Sequence, residues 1–427
     1  MSFLIGKMKK KIDGRKELSD HKKLITYFKS ENIYIPLIHN GKELEILVNE
    51  GDYVKVGTLI AQRLDHFHVP VYSSCSGLVT GVEKRLHSSA KMVKHLVIKN
   101  DFKFEEEKYE SLDYLKATKE QIVDFIKEKG LVGQGGAGFP TYIKYLAADK
   151  CETLLINGVE CEPYITSDYI GSKKESIALK AGVLSLLKAS TAKKCKIAIK
   201  SYKVELINSL KELFKDESKV EITGVVDAYP LGWERTLIYE LTKKRYKQLP
   251  IEVGFIVSNI TTAIQLGKSL ITGLPPTAKI VTISGEAINN PTNVFCPIGT
   301  PVNELIELCG GYNQEEVQLI MGGPMMGTSV GNDKLVIGSA NNAVTVVKYQ
   351  EYKAMGCLRC GTCLDHCPIS LQPIHINEAE KVKDLDRIYR LNASQCIECG
   401  LCTFVCPSKL ALTEGIRRAK KALALRK

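Results

Sequence analysis

The spacing of apolar positions changes three times along this 427-residue chain. Over residues 34–99, short apolar runs (YIPLIH, LEILVNEGDYVKVGTLIAQ, VPVYSSCSGLVTGVE, HLVIKN) are separated by Gly41, Gly51, Gly57 and Gly77, which predicts a small antiparallel β domain. After the charged stretch DFKFEEEKYESLDY the period lengthens. TKEQIVDFIKEKG predicts a helix ending at Gly130, TLLIN a buried strand, KESIALKAGVLSLLKA a helix, CKIAIK a strand and KVELINSLKELFK a helix. VEITGVV and VGFIVSN add strands and ITTAIQLGKSLITG another helix, so the alternation predicts an α/β layer on a largely parallel sheet. From about 277 to 345 the pattern is strand-rich again around the short helix PVNELIELCGG, whereas residues 350–427 carry almost no β pattern and INEAEKVKDLDRIYRLN is helical.

These switches give an α/β multi-domain chain divided at 1–105, 106–272, 273–348 and 349–427. The first unit, with EGDYVKVGTLIA followed by VPVYSSCSGLVTGV, resembles a biotinyl/lipoyl-like sandwich. It lacks a lysine at the hairpin tip where that family carries its cofactor, so it reads as scaffold. Two strands ahead of a helix make the third unit β-grasp-like, and the fourth is an α-helical domain.

Composition adds limits. A hydrophobic fraction of 44% fits a folded chain, and no apolar run of about 18 residues predicts a membrane span. The start, MSFLIGKMKKK, has the wrong order of basic and apolar residues for a secretory signal, so a cytoplasmic location with reduced thiols is expected. The formal charge of +11 lies in the ends: residues 1–23 carry +5 and residues 408–427 carry +6. Read as solvated basic tails, they could meet an acidic protein or an anionic membrane surface at the inner face. Nucleic acid is not expected, because no aromatic residue is interleaved with the tail charges.

The chemistry is concentrated in cysteine. GCLRCGTCLDHCP and CIECGLCTFVCP each carry C-x2-C-x2-C-x3-C-P, the spacing with which bacterial ferredoxins hold cubane clusters. Three thiolates on a tight loop cap one face of a cube, and the fourth cysteine of each run ligates the other cluster. This assigns Cys357, Cys360, Cys363 and Cys406 to one 4Fe-4S cluster, and Cys396, Cys399, Cys402 and Cys367 to a second. Structural zinc is the alternative, but it would leave cysteines of each run without a role.

Two further stretches bear on ligands. In GLVGQGGAGFPTYIK, Gly133, Gly135 and Gly138 formally match G-x-G-x-x-G, yet the segment follows a helix and not the strand that a dinucleotide fingerprint needs. A glycine loop feeding a helix start near Pro140, with Lys144 one turn in, would present N–H groups to phosphate; a structural turn is the alternative. LLINGVECEPYITSD places Asn157, Glu160, Glu162 and Asp168 beyond a buried strand, where open α/β sheets bind ligands.

GQGGAGFPT, INGVECEP, GGPMMG and the paired cysteine runs, in this order, resemble the flavoprotein subunit of respiratory complex I and, more closely, the RnfC component of the Rnf electron-transport complex. The resemblance implies that Gly133, Gly135, Gly136, Gly138 and Lys144 cradle an FMN phosphate and that Asn157, Glu160 and Glu162 line flavin and NADH. It assigns Tyr229 and Gly232 of AYPLGWERTLI to a third segment, and Ser258, Asn259 and Thr262 of VSNITT to a fourth. The implied reaction passes a hydride from NADH to FMN, then single electrons through two 4Fe-4S clusters to a redox enzyme or complex.

The sequence departs from the family in three ways. Trp233 stands where complex I flavoproteins have a carboxylate, so its indole would stack on or block a nicotinamide. The Gly-Gly-x-His-Pro motif of the RnfC family is absent from KMKKKIDGRKELSDHKK, and the chain stops about 20 residues after its last cluster motif. These departures suggest a specialised relative, such as the electron-transfer protein associated with proline reductase or the cobalamin reductase of propanediol use, the first preferred. The other readings are a peripheral component of the membrane complex and a non-catalytic adaptor with a vestigial flavin site. Cys75, at a predicted turn tip, and Cys161 read as apolar fillers with a redox role as the alternative, whereas Cys151, Cys195, Cys296 and Cys309 read as fillers outright.

Overall fold

The computed structural model describes residues 10–146 and 148–426. The first strand of the described residues, β1 (Ile25–Thr26), pairs with a distant sheet. The N-terminal unit follows as β2 (Asn32–Pro36), β3 (Ile38–His39), β4 (Lys42–Glu43), β5 (Glu45–Ile46), β6 (Tyr53–Val54), β7 (Leu59–Leu64), β8 (His68–Tyr72), β9 (Gly77–Leu86) and β10 (Met92–Asn100). One sheet runs β2-β10-β9-β6 and a second β5-β7-β8, all antiparallel. Alternation in β2 turns Ile33 and Ile35 into the core with Ile60, Leu96 and Ile98. Gly77 is obligatory here, since at φ +149° a Cβ would lie 2.0 Å from the Lys99 carbonyl oxygen.

Cys75 belongs to this core. It is fully buried, and burial pushes its thiol up to about 12, which fits the filler reading and not the redox alternative.

The central unit is the expected parallel sheet: β11 (Thr153–Asn157), β12 (Lys194–Lys200), β13 (Val220–Val225) and β14 (Phe255–Asn259), in the order β13-β12-β11-β14. Helices Ser176–Ser190 and Ile260–Thr272 lie back to back through Gly182 and Gly267, where a Cβ would approach a facing carbonyl oxygen to 1.8 and 1.7 Å. The chain winds outward on both sides of β11. The β11/β14 boundary is therefore the point where strand order reverses, and the register sets Asn157 beside Asn259 there.

The third unit is a sheet ordered β1-β16-β15-β19-β17-β18, with β15 (Ala278–Ser284), β16 (Thr292–Pro297), β17 (Val317–Met321), β18 (Thr328–Val330), β19 (Ala343–Lys348) and the helix Val302–Leu308. The last unit is helical. Pro373–Lys381, Leu385–Arg390 and Leu412–Leu425 pack around Ile376, Ile388 and Ile416. No helix among the described residues is long and apolar enough to cross a membrane.

The described parts of the basic ends are partly built into the fold, although Lys22, Lys23, Lys409 and Lys421 stay exposed. In the N-terminal one, Lys16 is 7% exposed, Ser19 is fully buried, and β1 pairs in parallel with β16 through Ile25–Val294 and Thr26–Phe295. At the other end, Arg417 and Lys420 pair with Glu398, Arg418 with Glu380 and Arg426 with Asp386. Residues 1–9 of the N-terminal basic stretch lie outside the described residues.

Candidate functional site

The glycine segment closes on itself before it meets any helix. Gly133 N donates to Phe139 O at 2.8 Å and Gly138 N to Gly133 O at 3.2 Å, and the next helix is a single turn, Ile143–Leu146. The glycine loop therefore leads into only one turn of helix. Gly135 and Gly136 stand exposed beside Asn259, the N-cap of Ile260–Thr272. Gly136 has φ +101° and open space where a Cβ would be, leaving room for a ligand against its backbone. Gly138 is fixed from the sandwich, since its carbonyl faces His39 Nε2 at 2.8 Å.

The other side chains of this corner hold the loop. Thr262 Oγ1 accepts from Gln134 N at 2.9 Å, and Lys279 Nζ donates to Gln134 Oε1 at 2.7 Å. Ser258 Oγ meets Tyr145 OH at 2.7 Å. Lys144 does not point freely at a phosphate: its ammonium donates to Val257 O at 2.8 Å, and burial pulls its pKa below the ordinary lysine value.

The acidic turn after β11 is built as tightly. Asn157 Nδ2 donates to Gly232 O at 2.6 Å, which joins the second and third segments named in the sequence. Glu160 takes φ +42°, and its Oε1 accepts from Asp168 N at 2.7 Å. Asp168 in turn accepts from Asn259 Nδ2 and Thr261 Oγ1, each at 2.7 Å. Burial raises the Glu160 and Asp168 carboxyls, and the ammonium of Lys16 opposes it. That ammonium donates to the carbonyls of Glu160 at 3.0 Å, Glu162 at 2.7 Å and Ile165. Sequence reading missed Lys16. In sequence it is one basic residue among many, and only the path of the N-terminal strap brings it here.

Glu162 reaches the GGPMMG turn of the third unit. It accepts from Met325 N at 3.1 Å and lies 3.3 Å from the Tyr229 hydroxyl oxygen, and burial pushes its carboxyl up to about 7. Tyr229, almost fully buried, donates its hydroxyl to Cys399 O at 2.7 Å. Trp233 packs half-buried on the same apolar face of Tyr229, Ile397, Cys399 and Leu401. The indole therefore belongs to the junction with the second cysteine loop. Cys161 sits there too, with its thiol raised to about 11 by burial, so it is no ready thiolate.

Cys367, Cys396, Cys399 and Cys402 line one cavity walled by Ile369, Leu371, Leu401 and Ile416. This is the exchanged set of three cysteines from the second run and one from the first. Cys363 lies near Cys357 and Cys406, the other exchanged set. Loop N–H groups already point at sulfur: Leu371 N to Cys367 Sγ at 3.2 Å, Glu398 N to Cys396 Sγ at 3.3 Å and Arg359 N to Cys357 Sγ at 3.4 Å. Among the described residues no three His, Cys, Asp or Glu side chains converge as they would on a single ion. Four thiols spread around a cavity with N–H donors at their backs fit a cubane cluster, whose ligands stand on its corners.

Family models match in the same order as the folded units. They are the RnfC barrel sandwich hybrid domain over residues 10–103, the Nuo51 FMN-binding domain over 126–268, the SLBB domain over 280–329 and a 4Fe-4S dicluster domain over 356–410. The RnfC-type component of the Na(+)-translocating ferredoxin:NAD(+) oxidoreductase complex of Acetobacterium woodii is 35% identical over 92% of this chain and 91% of its own. Its counterpart in the proton-translocating complex of Clostridium ljungdahlii is 33% identical over 80% and 77%. A crystal structure of an NAD+-reducing [NiFe]-hydrogenase in the air-oxidized state superposes with a TM-score of 0.51 at 18% identity, covering 71% of this chain and 63% of that one, a likeness of fold.

Proposed function

Because the chain belongs to the RnfC family of ferredoxin:NAD(+) oxidoreductase complexes, with an FMN-binding domain and a 4Fe-4S dicluster domain, we propose that it takes electrons from NADH and delivers them singly to a protein acceptor. The observation that carries this reading is the Tyr229 hydroxyl. It comes from the flavin-side segment AYPLGWERTLI, shares Glu162 with the acidic turn, and donates to the backbone of Cys399, a cluster-site cysteine. The crevice and the Cys396–Cys402 loop are therefore one hydrogen-bonded unit.

FMN would supply the change from paired to single electrons, and the two clusters would supply one-electron carriers. The residues do the rest. The exposed backbone at Gly135 and Gly136 would hold the FMN phosphate beside the Asn259 cap, while Asp168 keeps that cap oriented. Asn157 fixes the Gly232 turn against the acidic turn, and Lys16 neutralises the burial of Glu160. Trp233 and Leu401 exclude water from the junction at Cys399.

The departures at Trp233 and in the N-terminal stretch suggest a specialised relative, for which a proline reductase is the acceptor we prefer on general similarity. The adaptor reading rests on Trp233 blocking a nicotinamide. Its packing against Tyr229 and Cys399 favours the catalytic reading. Anaerobic addition of NADH to the flavin-loaded protein should bleach the flavin band and then the cluster absorbance. Flavin that NADH leaves oxidised would overturn the proposal.

A further inference from the structure

Residues 135–137 of the glycine loop are exposed, and the positions on either side, Gln134 and Gly138, are buried. Both anchors lean on the third unit. Ala340 lies 3.4 Å from the place a Cβ would take on Gly138, and Gln134 Oε1 accepts from Lys279 Nζ at 2.7 Å. Lys279 is 1% exposed on β15, in a strand whose other side chains are apolar or carry only a hydroxyl. Its ammonium also donates to Ser339 O at 2.6 Å, in the turn closed by Asn341 N on Gly338 O.

A lysine buried this deeply is costly unless its charge is used, because an ammonium gives up its hydration. Burial lowers its pKa, and the charge of Asp168 opposes that. Among the described residues the ammonium is in no ion pair, since Asp168 is already taken by Asn259 Nδ2 and Thr261 Oγ1. One cation therefore bears on both halves of the crevice: on the glycine loop through Gln134, and on the Asn259 cap beside Gly135 through Asp168. The Gln134 side chain has one further contact, Nε2 to Val132 O at 3.5 Å, so its placement depends on Lys279.

We propose that Lys279 is a positioning residue for the flavin phosphate, acting through Gln134 to set the backbone of Gly135 and Gly136. The third unit thus takes part in phosphate recognition without touching the flavin. The proposal rests on the FMN reading, and riboflavin, which lacks the phosphate, separates the two. The full chain, with clusters in place and flavin removed, would be titrated with FMN and with riboflavin and read by quenching of flavin fluorescence. The parent should prefer FMN. Lys279→Met should lower FMN affinity about tenfold and leave riboflavin affinity unchanged. A lysine that only stabilised β15 would lower the melting temperature and spare the preference, which would overturn the proposal. Gln134→Met, which leaves β15 intact, should lose the same preference, and the double variant should lose no more than either single one. Additive losses, or an unchanged preference in Gln134→Met, would overturn this proposal and leave the FMN reading standing. A parent that binds neither flavin would overturn both.

Discussion

The two cysteine runs share one spacing and meet opposite surroundings. The second run is enclosed: Cys399 and Cys402 are buried, Tyr229 holds the Cys399 carbonyl, Lys420 donates to Cys396 O at 2.9 Å, and Glu398 is clamped by Arg417 and Lys420. The first run is open: Cys357 and Cys360 are exposed on a loop tied down mainly through Ser408. One run thus faces the flavin unit and the other faces outward. A repeat that is symmetrical in sequence becomes a polar device, with an inner end and an outer end.

The largest effect should come from crossing the two sites. Cys367→Ser should remove roughly half of the bound iron by emptying the inner site, although Cys367 sits in the outer run, and Cys406→Ser should do the reverse. Iron analysis with EPR of the remaining cluster checks this; if each serine silenced the cluster of its own run, the exchanged ligand sets would be wrong.

Next in size is the strap. Lys16→Met leaves three carbonyls and Glu160 without their cation and should cost about 3 kcal/mol, read as a clear drop in melting temperature and loss of flavin retention. The same substitution at exposed Lys421 should change neither.

The Glu162 carboxyl sharpens the comparison through pH. Its folded-state value, about 7, lies above the ordinary 4.5, so between these values the folded chain holds a proton that the unfolded chain releases. Its contribution is fully present below 4.5 and fades as pH rises through 7. Thermal stability followed between pH 5 and 8 should decline more steeply in the parent than in Glu162→Gln; equal slopes would mean that Glu162 is not protonated there.

Tyr229→Phe should cost about 1 kcal/mol through the lost hydrogen bond to Cys399 O and should slow NADH-driven reduction of the inner cluster more than flavin bleaching. Smallest of all, Cys75→Ala should lower stability by roughly 1 kcal/mol and leave electron transfer untouched, as suits a filler of the sandwich core.

What the sequence determined by itself was local or repeated. The parallel strands β11 to β14, their crossover helices and the cysteine spacing were legible because each depends on period or on fixed short offsets. Composition misled where it ignored position. The N-terminal charges looked like solvent-facing ends, yet Lys16 is the cation of the acidic turn.

Only tertiary structure decided which side of each site is inside. Pairing of β1 with β16, contact of Lys16 with residues about 145 positions away, and Tyr229 reaching Cys399 all depend on chain crossings between units. The cost of burying a charge or an open hydroxyl is felt only once the surrounding units close over it. No local pattern in Lys16 or Tyr229 could therefore announce the partner that makes its burial stable.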